Sequence, residues 1–452
     1  MTRPADDAQG PRPLAAVVVA LALALGLVAV TCSTANDAPP RAPVASAAPV
    51  VELAPSARAS ASALVVVDAG VDAAAEAPIA VTGELGHFYA ALRGLEQKTR
   101  AEHVRVEWLG DSHGASDFWS GRLRTALQKR FGDGGPGFVH LGYRAYRHEG
   151  VKMTVEGKWK SNPRGPSTIL KTGDGVFGLG GMLWSSEDGA AHAVVALDDP
   201  ALTGKVSWDL CYKLFGRDDG LAVTATGGAR TLLRAKNADE LHKVRHVGFT
   251  TTGAGAQIGV TPAGGHPELC GVVVEADAAA QPGVVLDTLA INGARMATPL
   301  AWEESSFAAE LARRAPSLVV LEFGTNEAGD VNVKPAAYAA HLTKVMARIR
   351  RVVADVDCLV LAPTDRADAE ERTPLVRDAL RDGAAANGCA FFDTYAVMGG
   401  KGSIDAWRGE TPPRAAKDGI HLTFRGYHEV GDKLVAQILA GYDGRTPGAA
   451  PP

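Results

Sequence analysis

The stretch Val104-Arg105-Val106-Glu107-Trp108-Leu109-Gly110-Asp111-Ser112-His113 begins as an alternating run and breaks on a glycine, an acid and a serine. Period-two alternation reads as a β-strand, and the glycine marks its end. Beyond it, Ser116 to Phe131 places Phe118, Leu123, Leu127 and Phe131 in a helical stripe, stopped by Gly132-Asp133-Gly134-Gly135-Pro136-Gly137. Ahead of it, residues 83–98 put Leu85, Phe88, Leu92 and Leu95 on one helical face. A serine at the carboxyl end of a first strand, before a helix, lies where open α/β sheets hold their chemistry.

The same strand–helix rhythm returns after residue 284. Val284 to Asn292 reads as a strand, Glu303 to Arg314 as a helix, and Ser317 to Phe323 as a strand whose Leu318-Val319-Val320-Leu321 is buried on both faces. Ala336 to Val353, Thr373 to Ala386 and Thr423 to Leu439 read as helices, with strands at Cys358 to Ala362 and Cys389 to Asp393 between them. This alternation predicts a three-layer α/β/α body around a parallel sheet. Between about 138 and 284 the texture differs. Short alternating runs (Lys152 to Val155, His192 to Leu197, Leu221 to Thr226, Val244 to Thr251, Gln257 to Thr261, Gly271 to Glu275) are separated by Gly, Asp and Pro. Dense turn signals with little helical spacing predict a β-sandwich, inserted between the first and second strands of the sheet.

The 452 residues have room for more than one domain, and 46 % apolar with 21 % charged residues is ordinary globular composition. A net charge of −5 gives no basic footprint for nucleic acid. The sequence has no Cys-x-x-Cys, no His-rich tract and no His-Glu-x-x-His, so no metal or cofactor is expected. Leu14 to Val30 is an unbroken apolar run that reads as an export signal and is also long enough for an uncleaved anchor. Cys32 follows in Ala29-Val30-Thr31-Cys32, an imperfect lipoprotein box, so residues 1–32 are a signal, a lipoprotein signal or an anchor. Residues 33–82 are rich in Ala, Pro and Ser and read as a disordered tether. The hydrolytic body is expected over 83–137 and 285–441, the insertion over 138–284, and a short disordered tail over 442–452. With Cys32 set aside, Cys211, Cys270, Cys358 and Cys389 form an even set suited to an oxidising compartment, with three pairings open and four free thiols as the alternative.

Ser112 is the candidate nucleophile, inert until a base takes its proton. Asp418-Gly419-Ile420-His421 supplies the base, His421, with Asp418 three residues earlier to orient the imidazole. Acyl transfer also requires donors for an oxyanion. Gly293, in Ala290-Ile291-Asn292-Gly293-Ala294, and Asn326, in Phe323-Gly324-Thr325-Asn326-Glu327, follow the second and third strands, and the Ser112 amide completes the set. Each residue alone is also a turn or a helix cap; their joint placement at one sheet edge is what caps and turns do not explain. Gly110-x-Ser112-x-Gly114 matches the α/β-hydrolase elbow as well, but that fold places several strands before its serine. His113, His140, His148 and His428 carry no assigned role, and Trp159, Trp184, Trp208 and Tyr212 read mainly as sandwich core, with sugar stacking as the alternative.

Ser112, Gly293, Asn326 and His421, in that order, resemble the four signature blocks of the SGNH (GDSL-like) hydrolases, and Asp418 matches the acid three residues before that family's histidine. The resemblance spans about 83–131 and 284–440; Glu327 departs from the commoner Gly-x-Asn-Asp, while the asparagine is kept. It implies a flavodoxin-like fold and a metal-free serine esterase. With Gly-Asp-Ser-His, Ile-Asn-Gly-Ala, Gly-Thr-Asn-Glu and a β-rich insertion, the chain is more narrowly similar to bacterial polysaccharide and peptidoglycan O-acetylesterases, a resemblance that implies a carbohydrate-binding-like sandwich for the insertion. That likeness implies an exported enzyme acting on an acetylated polysaccharide such as peptidoglycan, in the periplasm, at the outer membrane or outside the cell. The rival readings are an O-acetyltransferase sharing the acyl-enzyme, a lipase or esterase of general specificity, and an inactive glycan-binding lipoprotein. The sequence does not determine oligomeric state.

Overall fold

The computed structural model describes residues 81–144, 146–162, 174–186 and 188–444. The expected export signal, Cys32 and nearly all of the tether lie outside the described residues. The body starts slightly earlier than composition suggested: Thr82 exchanges backbone hydrogen bonds with Phe391 at the sheet edge.

The chain opens with the helix Gly86–Glu96, strand β1 (Val104–Gly110) and the helix Trp119–Phe131. This second helix begins later than its apolar stripe. Asp117 takes φ +55°, and its buried carboxylate accepts hydrogen bonds from Ser120 Oγ at 3.0 Å and Thr288 Oγ1 at 2.8 Å, which breaks the helix from the turn that carries Ser112. The Arg124 guanidinium spans both Asp117 oxygens at 3.0 and 2.6 Å.

The insertion follows as β2 (Gly137–Val139), β3 (Val151–Glu156), β4 (Lys160–Asn162), β5 (Leu183–Ser185), β6 (His192–Leu197), β7 (Lys205–Lys213), β8 (Leu221–Ala225), β9 (Thr231–Leu233), β10 (Val244–Thr252), β11 (Gln257–Pro262) and β12 (Glu268–Ala276). Among the described residues these pair antiparallel in two sheets, β10-β7-β12-β5-β4 with β2 added on β12, and β3-β6-β11-β8-β9. Val195, Val223, Ile258 and Val260 of one sheet share an apolar core with Trp208, Leu210, Val272 and Val274 of the other, which makes the pair a sandwich. The sequence reading left out β7, the long strand beside the centre, although its Val206, Trp208, Leu210 and Tyr212 alternate inward. Cys211 is disulfide-bonded to Cys270 across β7 and β12.

The body resumes with β13 (Val284–Thr288), the helix Glu304–Arg314, β14 (Leu318–Glu322), the short helix Thr325–Ala328, the helix Pro335–Arg350, β15 (Asp357–Leu361), the helix Thr373–Ala386, β16 (Ala390–Phe392), two short helices and the helix Phe424–Asp443. Among the described residues the sheet order is β13-β1-β14-β15-β16, all parallel. Leu318 and Val320 face one core with Leu123, Val430 and Leu434; Val319 and Leu321 face the other with Leu342, Val376 and Leu380. That explains the unbroken apolar run of β14. Cys358 and Cys389 close a second disulfide beside β15 and β16. The last helix runs beyond residue 441, to Asp443, which pairs with Arg130.

The sandwich is not a separate globule on a stalk. Phe138, Phe177, Leu183 and Trp184 from the insertion belong to the same apolar cluster as Ile291, Met296, Trp302 and Phe307 of the body. Arg314, fully buried, bridges Glu275 of β12 and Asp287 of β13 at 2.8 Å each. Sandwich and body are thereby packed on the loop that follows β13.

Candidate active site

Ser112 lies one residue past the buried Asp111, in a tight turn after β1. The Asp111 carboxylate accepts the His113 N–H at 3.0 Å, and the Ala115 N–H returns to the Asp111 carbonyl at 3.1 Å. This turn presents Ser112, half-buried, at the carboxyl edge of the sheet. Gly110 and Gly114 are required beside it: a Cβ on either would run into the Glu322 carboxylate, and one on Gly114 would also lie 2.8 Å from Ala290.

His421 comes from the loop before the last helix and reaches Ser112 across the whole body. Its Nε2 lies 2.8 Å from Ser112 Oγ, and its Nδ1 lies 2.7 Å from Asp418 Oδ2. The other Asp418 oxygen accepts the backbone N–H groups of Ile420 and His421, both at 3.0 Å. Gly419, at φ +69°, closes this turn where a Cβ would meet Ala367. Partial burial opposes ionisation of Asp418, but the bonds from the His421 ring and the two amides outweigh it and hold its carboxyl at about 2. Imidazole and carboxylate are therefore one local unit, fixed by a four-residue turn.

His113 supports that unit from below. Its ring lies 5.1 Å from the His421 ring, with Nδ1 2.9 Å from the Tyr427 hydroxyl and Nε2 3.2 Å from Thr364 Oγ1. Burial, with the nearby His421 adding to it, pushes its pKa down to about 3, so His113 is a neutral packing partner. His140 and His148 are buried as well.

The strand-end loops meet at the same edge. Gly293 is exposed, at φ +78°. Among the described residues no acceptor takes the backbone N–H of Ser112 or of Gly293. Asn326 Nδ2 donates to the Ala294 carbonyl at 2.9 Å and stands 3.4 Å from Asp111 Oδ2. It thus ties the loop of Gly293 to the turn of Ser112. Glu327, fully buried, accepts the Met296 N–H at 2.8 Å and clamps the far end of the same loop. Burial pushes its carboxyl up to about 7.

Two features were legible but not singled out in the sequence. Glu322 is a lone acid in the apolar β14; buried beside Asp111, it accepts the Asp111 N–H at 3.3 Å. Burial, and then the negative neighbour Asp111, push its carboxyl well above the ordinary range. The other is Asn292, whose Nδ2 donates to the Tyr143 hydroxyl of the insertion at 2.7 Å. Of the aromatics in question, Trp208, Tyr212 and Trp184 are buried, whereas Trp159 is half-exposed. Cys211, His246 and Glu310 converge, but Cys211 is held in its disulfide and His246 between Asp209 and Glu310, so the trio does not fit a metal.

Residues 250–429 match the model of the GDSL-like Lipase/Acylhydrolase family. The match takes in Gly293, Asn326, Asp418 and His421 and leaves Ser112 outside, separated by the insertion. No curated protein matches the chain. Among solved structures, the chain is similar to one described as a peptidoglycan O-acetylesterase in action, at 22% identity and a TM-score of 0.65, covering 81% of this chain and 99% of that one. Weaker likenesses are a family two carbohydrate esterase from Clostridium thermocellum in complex with cellohexaose (9% identity, TM-score 0.28, 64% of this chain and 100% of that one). Another is a GDSL-like lipase from Parabacteroides merdae (13%, 0.27, 34% and 72%). The 2-1-3-4-5 parallel order of its body strands, counted along the chain, and the likeness to the O-acetylesterase structure show an SGNH hydrolase fold with a β-sandwich between its first two body strands, and residues 250–429 are the segment similar to the GDSL-like lipase/acylhydrolase family.

Proposed function

We propose that this enzyme is an exported O-acetylesterase that removes acetyl groups from a cell-envelope or extracellular polysaccharide, peptidoglycan being the first candidate. The observation that carries this reading is the relay from Ser112 Oγ to His421 Nε2 at 2.8 Å and from His421 Nδ1 to Asp418 at 2.7 Å. Ser112 Oγ attacks the acetyl carbonyl while His421 takes its proton; Asp418 holds the ring and offsets the imidazolium charge. The Ser112 and Gly293 amides receive the oxyanion, together with Asn326 Nδ2, whose long contact to Asp111 is the one an oxyanion replaces. The imidazolium then protonates the departing sugar alkoxide. Water, activated by the same His421, hydrolyses the acyl-enzyme and releases acetate and Ser112. No step calls on a metal.

Export is supported by the apolar run Leu14 to Val30 and by the two disulfides, which persist in oxidising compartments. No helix of the described residues is long and apolar enough to cross a membrane. The peptidoglycan reading is supported by the overall likeness to the O-acetylesterase structure. The test is acetate release from O-acetylated peptidoglycan, acetylated xylan and small acetyl sugars, beside p-nitrophenyl acetate. Wild-type protein is expected to release acetate and Ser112→Ala to lose about a million-fold in kcat; turnover that survives Ser112→Ala overturns the assignment.

A further inference from the structure

Two acids are buried directly under the turn that carries Ser112. Asp111 precedes Ser112 and is fully buried; Glu322 ends β14 and is 3% exposed. The parallel register sets Glu322 opposite Gly110, so it arrives at the last rung before the turn. Side chains along a strand alternate faces, which puts Glu322 on the face of Leu318 and Val320, the face covered by the last helix. Its backbone carbonyl accepts the Asp111 N–H at 3.1 Å, and its Oε2 stands 3.3 Å from the same nitrogen. Gly110 and Gly114, by lacking a Cβ, leave the space that its carboxyl fills.

The carboxyls of Asp111 and Glu322 are hydrogen-bonded to each other. Two carboxylates in such contact repel unless a proton lies between them. Among the described residues, neither forms an ion pair with a lysine or arginine that would offset a second charge. The other titratable groups that face the pair are His421 and Glu327 at the site and Tyr427 of the last helix. Asp111 is the better-served anion. Its Oδ1 accepts the His113 N–H at 3.0 Å, its Oδ2 faces Asn326 Nδ2 at 3.4 Å, and the Thr325 side chain hydrogen-bonds to it as well. The proton therefore belongs to Glu322.

We propose that Glu322 is a positioning residue for the reaction: as a carboxylic acid it donates to the Asp111 carboxylate, and through Asp111 it fixes the Ser112 turn and sets the hold on the Asn326 amide. The donated bond draws charge from Asp111, so the amide is held there lightly and is free to turn to the oxyanion as that forms. It also leaves one negative charge under the oxyanion site, where two would oppose the reaction. The proposal rests on the serine-esterase reading and adds to it a residue that does not touch substrate.

The test compares Glu322→Gln, which keeps a donor for Asp111 and an acceptor for its N–H, with Glu322→Met, which keeps the volume and loses both. Steady-state hydrolysis of p-nitrophenyl acetate and the rate of Ser112 phosphonylation by a fluorophosphonate are measured on each variant beside wild type. Glu322→Met is expected to lose about tenfold or more in kcat with KM unchanged, and Glu322→Gln to recover to within about threefold of wild type. Phosphonylation rates are expected to follow kcat. An infrared difference spectrum near neutral pH, wild type minus Glu322→Gln, is expected to show the C=O band of a protonated carboxyl that shifts in D2O. This spectrum and the kinetics of Glu322→Gln decide the matter even where Glu322→Met does not fold. Absence of the band overturns the proposal, as does a loss of about tenfold or more in Glu322→Gln. Wild type that neither hydrolyses the ester nor is phosphonylated refutes the serine-esterase reading itself and this role with it; an active wild type with an equally active Glu322→Met refutes the role alone.

Discussion

The amide of Asn326 donates to the carbonyl of Ala294 at 2.9 Å, so the loop after β14 holds the loop after β13 in place beside Ser112. One side chain thus does two jobs in the proposed mechanism: it fixes the backbone that presents the Gly293 N–H, and it stands as a donor itself.

Asn326→Ala is expected to lower kcat by about 10^2–10^3, the loss seen when one oxyanion donor is removed. KM for p-nitrophenyl acetate is expected to change little, since the interaction strengthens only as charge develops. Steady-state kinetics on both parameters checks this; a change confined to KM contradicts the oxyanion role.

Asp418 and His421 are expected to differ in weight. The Asp418 side chain is 48% exposed, and water is at hand to hydrogen-bond the ring when the carboxylate is gone. Asp418→Asn is therefore expected to cost well under the about 10^4-fold found for a buried triad acid. His421→Ala removes the proposed base and is expected to approach the loss of Ser112→Ala. Comparing kcat/KM for the three variants on one acetyl ester decides it.

Glu327 makes stability depend on pH. Its carboxyl ionises near 4.5 when unfolded and, pushed up by burial, near 7 when folded. Between those values the unfolded chain gives up its proton first, so stability falls as pH rises from about 4.5 and levels off above about 7. Glu327→Gln keeps an acceptor for Met296 and removes the ionisation. Relative to wild type it is expected to gain up to about 3 kcal/mol between pH 4.5 and 7.5 in urea melts.

His246 gives the opposite slope at the join of sandwich and body. It lies 3.2 Å from Asp209 of β7 and 2.9 Å from Glu310 of the helix Glu304–Arg314. Burial alone would favour the neutral ring, but the bonds to both carboxylates raise its pKa to about 9. Its contribution is fully present below the unfolded value near 6.5 and is lost as pH rises through 9. Melting temperature is expected to fall between pH 7 and 9.5 in wild type, with a shallower slope in His246→Gln.

The hydrolase body was legible along the chain. Its strands and helices are set by local periodicity, and Ser112, Gly293, Asn326 and His421 are each punctuated by glycines and acids that a turn demands, so blocks far apart on the chain announced themselves. Asp418 and His421 were legible as a unit because four residues of loop fix their geometry. What depends on partners distant in sequence was not legible there and came from packing. Cys211 with Cys270 and Cys358 with Cys389 are joined by strand pairing, which no spacing encodes. The late start of the helix Trp119–Phe131 follows from Asp117 finding Thr288 and Arg124. The upward shift of the Glu322 and Glu327 carboxyls follows from burial that composition does not reveal. Trp159, Trp184, Trp208 and Tyr212 looked alike along the chain; packing buried three and left Trp159 open beside Tyr143, because only the folded sandwich determines which face meets the body and which meets solvent.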